Sequence, residues 1–176
     1  MKKKISGIML FAALFASASA SVQAADNLQF KGNLIIPNCT INNGVPVETD
    51  FGDIEIQSLA NIHTAYKWTE LHIPVNCPYN LKTPKIKITG QHGAVGNSLQ
   101  TSKFNDEKVV VYFRQVNNKG PVINLNGFRE LGADAITGSG ASKTLNIAVG
   151  VGREGDMELL TPGPFTASAN MEVRYE

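Results

Sequence analysis

Apolar residues recur at every second position in several separate stretches of the chain. Leu28, Phe30, Leu34 and Ile36 share one face of an extended segment, with Gly32 between them. Leu71, Ile73, Val75 and Cys77 form a second such face, and Ile86 and Ile88 alternate with Lys85 and Lys87. Leu145, Ile147, Val149 and Val151 alternate with Asn146, Ala148 and Gly150. A last run, Phe165, Ala167, Ala169, Met171, Val173 and Tyr175, predicts a strand from Phe165 to the penultimate residue. Period two puts apolar side chains on one side of a pleated strand, so these runs predict half-buried strands. Residues 109–113 are continuously apolar, which predicts a strand buried on both faces. Turn-forming residues separate the runs: Asn42-Asn43-Gly44, Asn80, residues 90–93 and 117–120, Gly138-Ser139-Gly140 and Pro162-Gly163-Pro164. No amphipathic helix longer than two turns is evident. The pattern predicts an all-β antiparallel sandwich of immunoglobulin-like plan, with no repeat and no internal linker.

The N-terminus has a different character. Lys2, Lys3 and Lys4 precede a mostly apolar stretch from Ile5 to Ala20, followed by Val22-Gln23-Ala24. A basic region, a short apolar core and small residues at a cleavage site are the three parts of a secretory signal peptide. The apolar core is too short to span a bilayer. Cleavage is expected after Ala24, so residues 1–24 are an address and the exported chain has the remaining 152 residues of the 176.

Composition narrows the class further. With 43% hydrophobic and 18% charged residues the chain is too apolar for intrinsic disorder. Three of its 16 basic residues lie in the signal, which leaves 13 against 15 acidic ones and a net charge near −2. That balance carries no electrostatic footprint for nucleic acid. Cys39 and Cys77 are the only cysteines, too few for a disulfide scaffold or a four-cysteine zinc site. Export favours a disulfide between them, closing a loop that stabilises by about 4 kcal/mol in the chain-entropy view. The alternatives are two free thiols or a metal shared with His63, His72 or His92, whose spacings to the cysteines do not resemble a ligand set.

Both ends of the exported chain are unusual. Its first segment is an alternating apolar strand that starts almost at the new N-terminus and carries Gly32 in mid-face. Glycine inside a strand weakens it and marks a close approach of another backbone. At the other end the last strand runs to Tyr175, with nothing after it to cover its outer edge, a liability unless something pairs there.

These ends resemble the pilin subunits of chaperone–usher pili of Gram-negative bacteria, most closely the minor tip-fibrillum subunits of P pili. The resemblance rests on residues 26–39, an alternating extension with a central Gly32 leading into Cys39. It rests also on Val75-Asn76-Cys77-Pro78-Tyr79, the penultimate Tyr175, and Gly163, fourteenth from the end when Glu176 is counted first. It implies an immunoglobulin-like sandwich lacking its last strand, with a donor-strand extension at 25–37 and a pilin domain at 38–176. Leu28, Phe30, Gly32, Leu34 and Ile36 would fill the open groove of a neighbouring subunit. The segment with Gly163, Phe165, Ala167, Ala169, Met171, Val173 and Tyr175 would pair first with a strand of a periplasmic chaperone and later with a neighbour's extension. An outer-membrane usher would assemble the extracellular fimbrium. The alternative is that residues 28–36 form an ordinary first strand within their own chain, and that Tyr175 only packs on the core.

Other motifs are weaker. Gly150-Val151-Gly152-Arg153-Glu154-Gly155 matches G-x-G-x-x-G, but Pro162 stops any following helix too soon for a dinucleotide site. Asn38-Cys39-Thr40 is a coincidental glycosylation sequon. Asp50, Asp53 and Glu55 lack the spacing of a calcium loop and read better as a solvated strand edge. Ser139 lacks a nucleophile elbow, and a lone Trp68 is more often core than a sugar platform. The expectation is therefore a structural fibre subunit with no enzymatic activity, cofactor, metal or small-molecule substrate. The rival is a secreted carbohydrate-binding or adhesive sandwich domain.

Overall fold

The computed structural model describes residues 28–176. The expected signal peptide and cleavage site lie outside them. The chain divides into two units between Leu34 and Ile35. In the described part of the first unit, residues 28–34 have no regular secondary structure. Leu28, Phe30 and Leu34 are 72%, 88% and 102% exposed. The strand expected from the alternation at 28–36 is therefore not formed within the described chain. An extended segment without a ladder partner has no backbone bonds to hold it in register. A Cβ placed on Gly32 would meet nothing within 4 Å.

In the second unit the strands are β1 (Thr40–Ile41), β2 (Thr64–Asn76), β3 (Pro84–Thr89), β4 (Ser98–Gln100), β5 (Val109–Gln115), β6 (Arg129–Glu130), β7 (Ile136–Ser139), β8 (Ser142–Arg153) and β9 (Asn170–Tyr175). They form two sheets, one in the order β1-β2-β8-β5-β4 with β7 also paired to β8, the other β6-β3-β9. Every pairing between these strands is antiparallel. The core includes Ile73, Val75, Val111, Phe113, Leu145, Ile147 and Val149 from the larger sheet, and Ile86, Ile88, Val173 and Tyr175 from the smaller. On β2 and β3 they alternate with more exposed neighbours, whereas on β5 and β8 the neighbours Val110, Tyr112 and Ala148 are buried as well. Lys87 on β3 lies opposite Glu172 on β9 and pairs with it at 3.1 Å. The apolar run 109–113 is buried along its length, and Arg114 is the one partly exposed residue of β5. Cys39 and Cys77 are joined in a disulfide, which ties the entry to β1 to the end of β2.

Two strands differ from the pattern. β2 starts at Thr64, seven residues before its apolar alternation, because a bulge between Tyr66 and Thr69 breaks the period. β9 starts at Asn170 rather than Phe165. Its partner β3 ends at Thr89 opposite Asn170, so residues 165–169 have no strand partner among the described residues. The G-x-G-x-x-G glycines have a packing role: Gly150 lies beneath Trp68, where a Cβ would come within 2.7 Å of the ring, and Gly152 lies against Tyr112. Trp68 is half-buried and donates its indole N–H to the Ala65 carbonyl at 3.0 Å.

Candidate strand-accepting groove

Where β9 stops short, the sandwich is open. A groove of about 1110 Å³ runs between residues 47–59 on one wall and residues 160–167 on the other. Its floor is apolar: Leu99 on β4, Val109 and Val111 on β5, Val149 and Val151 on β8. All five are buried. Alternation on three adjacent strands makes this floor, since each presents its apolar positions to the same side of the larger sheet.

The walls are irregular backbone held at a few points. The 47–59 wall is fastened at its far end by Arg153, which is 7% exposed. Its guanidinium donates to the carbonyls of Leu59 and Ala60, both at 2.7 Å. Residues 47–51 make no backbone hydrogen bond with the described residues, and Gly52 N–H is met only by the Asp50 carboxylate at 2.8 Å. On the opposite wall Thr166 exchanges bonds with Ser102: Ser102 N–H donates to the Thr166 carbonyl at 2.8 Å, and Thr166 N–H donates to the Ser102 hydroxyl at 3.1 Å. Phe165, Ala167, Ser168 and Ala169 have no backbone partner among the described residues. Backbone donors and acceptors seldom go unpaired except where water or another chain takes them.

One lip of the groove is latched by the short helix α1 (Phe104–Glu107). Lys103 just before it pairs with Glu107 at 2.8 Å and donates to the Thr161 carbonyl at 2.6 Å. Glu107 in turn accepts from the Thr161 hydroxyl at 2.7 Å and the Thr161 amide at 3.1 Å. The Lys103 ammonium, with help from Thr161, lowers the Glu107 carboxyl from its ordinary 4.5 to about 2. Immediately beyond, Gly163 adopts φ +144°, a conformation that favours glycine.

The predicted C-terminal segment is thus split between two environments. Gly163, Phe165 and Ala167 line the groove. Ala169 borders a smaller cleft beside it. Met171 packs against the core, while Val173 and Tyr175 lie within it. Tyr175 is therefore a core residue, and burial raises its phenol pKa. Of the predicted donor residues, Leu28, Phe30, Gly32 and Leu34 belong to the separate N-terminal unit, and Ile36 is partly exposed. The 47–59 wall was not foreseen. The sequence carried a signal for it, because Val47, Thr49 and Phe51 alternate with polar neighbours. Among the described residues no group of three or more His, Cys, Asp or Glu side chains is placed to hold a metal.

A two-sheet β-sandwich with one strand position vacant is the incomplete immunoglobulin-like fold of pilin subunits. The chain belongs to the fimbrial protein family, whose model matches residues 28–176. It is similar to the fimbrial protein PrsE of Escherichia coli, at 36% identity over 98% of this chain and 99% of that one. It is also similar to the fimbrial adapter PapF of Escherichia coli, at 28% identity over 89% of this chain and 92% of that one. Among solved structures, the P pilus rod subunit PapA has the same fold, with a TM-score of 0.59, 19% identity, and 85% and 98% of the two chains covered. The protein is a structural fimbrial subunit of the P-pilus type, and family members work in contact with other pilus subunits.

Proposed function

We propose that this subunit polymerises by donor-strand exchange, with residues 1–24 removed on export, residues 25–37 as its donor strand and residues 38–176 as the acceptor domain. Strand addition to an open sheet edge is a known recognition mode, of which donor-strand complementation in pilins is an example. One observation carries the reading: unpaired backbone at residues 47–51 on one wall and at Phe165, Ala167 and Ala169 on the other flanks an apolar floor, and an added strand satisfies both at once. The incoming strand is the N-terminal extension of another subunit. Before that, a periplasmic chaperone strand occupies the groove, and an outer-membrane usher exchanges one for the other to build an extracellular fimbrium. The chain is a minor or tip subunit by its likeness to an adapter.

The donor half is equally specific. Burying Leu28, Phe30, Leu34 and Ile36 in a neighbour is worth about 1.5–3 kcal/mol each before ordering costs. Their side chains are available, since none of the four is buried in its own chain. Gly32 would lie over a shallow site of the partner's groove. The C-terminal residues 165–175 would lengthen β9 into a full strand along the inserted one.

Expression of residues 25–176 with and without the cognate chaperone tests the reading. Coexpression with the chaperone is expected to raise the yield of soluble subunit many-fold and to recover it as a one-to-one complex, leaving only a minor fraction of free subunit without it. A stable monomer produced equally well without chaperone would favour the rival, a self-sufficient secreted binding domain.

A further inference from the structure

The ring of Phe51 stacks on that of Phe165, with centroids 6.4 Å apart and planes at 30°. The two residues come from the two walls of the groove, and both are half-buried. The wall segments around them make few backbone bonds of their own, so this aromatic pair is a contact between two otherwise loosely held edges. Phe165 also sits in the five residues that alternate like a strand yet are not one.

We propose that Phe51 and Phe165 form a clasp that holds the vacant groove partly shut, and that a donor strand is admitted only when the stack parts. The inference rests on the groove being the strand-accepting site. Parting the stack releases residues 165–169 to join β9 along the incoming strand. The clasp shields the apolar floor while the groove is empty, and it adds an opening step before insertion. A protein whose competent state is only fractionally populated binds more slowly and weakly by that fraction. An aromatic pair of this kind is worth roughly two- to tenfold in such an equilibrium.

The test uses the exported chain, residues 25–176 with its disulfide intact, and a fluorescent synthetic peptide of residues 25–37 as the probe strand. Association is followed for the wild type and for Phe51→Ala and Phe51→Leu. Phe51→Leu keeps an apolar wall and guards against misfolding of the smaller variant. The clasp predicts peptide association roughly two- to tenfold faster in the variants. A wall residue that merely contacts the donor predicts the reverse, so unchanged or slower association in both variants overturns the clasp alone. Failure of the wild type and both variants to bind the peptide at any rate overturns the groove reading, and the clasp with it.

Discussion

Arg153 at the end of β8 donates from Nε to the carbonyl of Leu59, 94 positions earlier, at 2.7 Å. The same guanidinium reaches Ala60 and Gly155, so its buried charge is met by backbone carbonyls. This fastens one wall of the groove to the central strand of the larger sheet. Arg153→Met keeps the bulk but leaves those carbonyls without their donor. Hydrogen bonds to a charged group and the cost of orphaned buried acceptors predict a loss of roughly 2–4 kcal/mol. Urea unfolding of the chaperone-free variant against wild type measures it. A loss well under 1 kcal/mol would show that the wall is held by other contacts.

Glu107 makes the opposite lip sensitive to acid. Its carboxyl falls from the ordinary 4.5 to about 2 on folding, through Lys103 first and Thr161 second. A depressed carboxylate contributes stability above its unfolded pKa and loses it as the pH falls through the folded one. The gap in thermal midpoint between wild type and Glu107→Gln should therefore be constant above pH ~5 and shrink towards pH ~2. A gap that persists unchanged at pH ~2 contradicts the latch.

Tyr175 is buried at the end of β9, opposite Pro84 on β3. Truncating it to Ala should cost about 3–5 kcal/mol, as for other large core side chains. Removal of Glu176 alone takes away only its surface pairs with Lys85 and Arg174 and its backbone bond to Thr83. Chaperone co-purification that survives loss of Glu176 but not of Tyr175 would assign the effect of the C-terminus to packing. Loss with either would assign a recognition role to the terminal residue.

Gly32 is open in its own chain, so a side chain there costs the subunit nothing before assembly. Gly32→Asn should fold and bind chaperone normally and yet fail to polymerise. Fibre formation by this variant, seen by electron microscopy at wild-type yield, contradicts the shallow site assigned to the glycine.

Reduction of the Cys39–Cys77 bond, which spans 38 positions, should lower stability by about 4 kcal/mol. Equilibrium unfolding with and without reductant reads this directly. Equal midpoints would mean the staple adds nothing to the folded domain.

Much of the fold was legible because burial on one face imposes period two. Ile73, Val75, Ile86, Ile88, Leu145, Ile147 and Val173 all fall where the alternation puts them. Of the groove floor, Val149 and Val151 were legible for the same reason and Val109 and Val111 from the continuous apolar run, whereas Leu99 on the three-residue β4 was not. The bulge at Lys67–Trp68 was not, since a local change of register leaves the residue types unchanged. The 47–59 wall was missed because its alternation spans only Val47 to Phe51 and is hemmed by Asp50, Gly52 and Asp53. The shortened β9 has another cause. Residues 165–169 have the pattern of a strand, but a strand also needs a neighbour, and none pairs with them among the described residues. Long-range anchors such as Arg153 to Leu59 depend on tertiary geometry that no local pattern encodes.

Backbone hydrogen exchange on the groove walls tests the central claim most directly. Amides of Phe165, Ala167 and Ala169, and the alternate amides of residues 47–51 that face the groove, lack backbone partners among the described residues. They should exchange fast in the exported subunit alone and become strongly protected when the peptide of residues 25–37 is bound. Protection already present in the free subunit, or exchange that stays fast in the complex, would contradict strand addition at this groove.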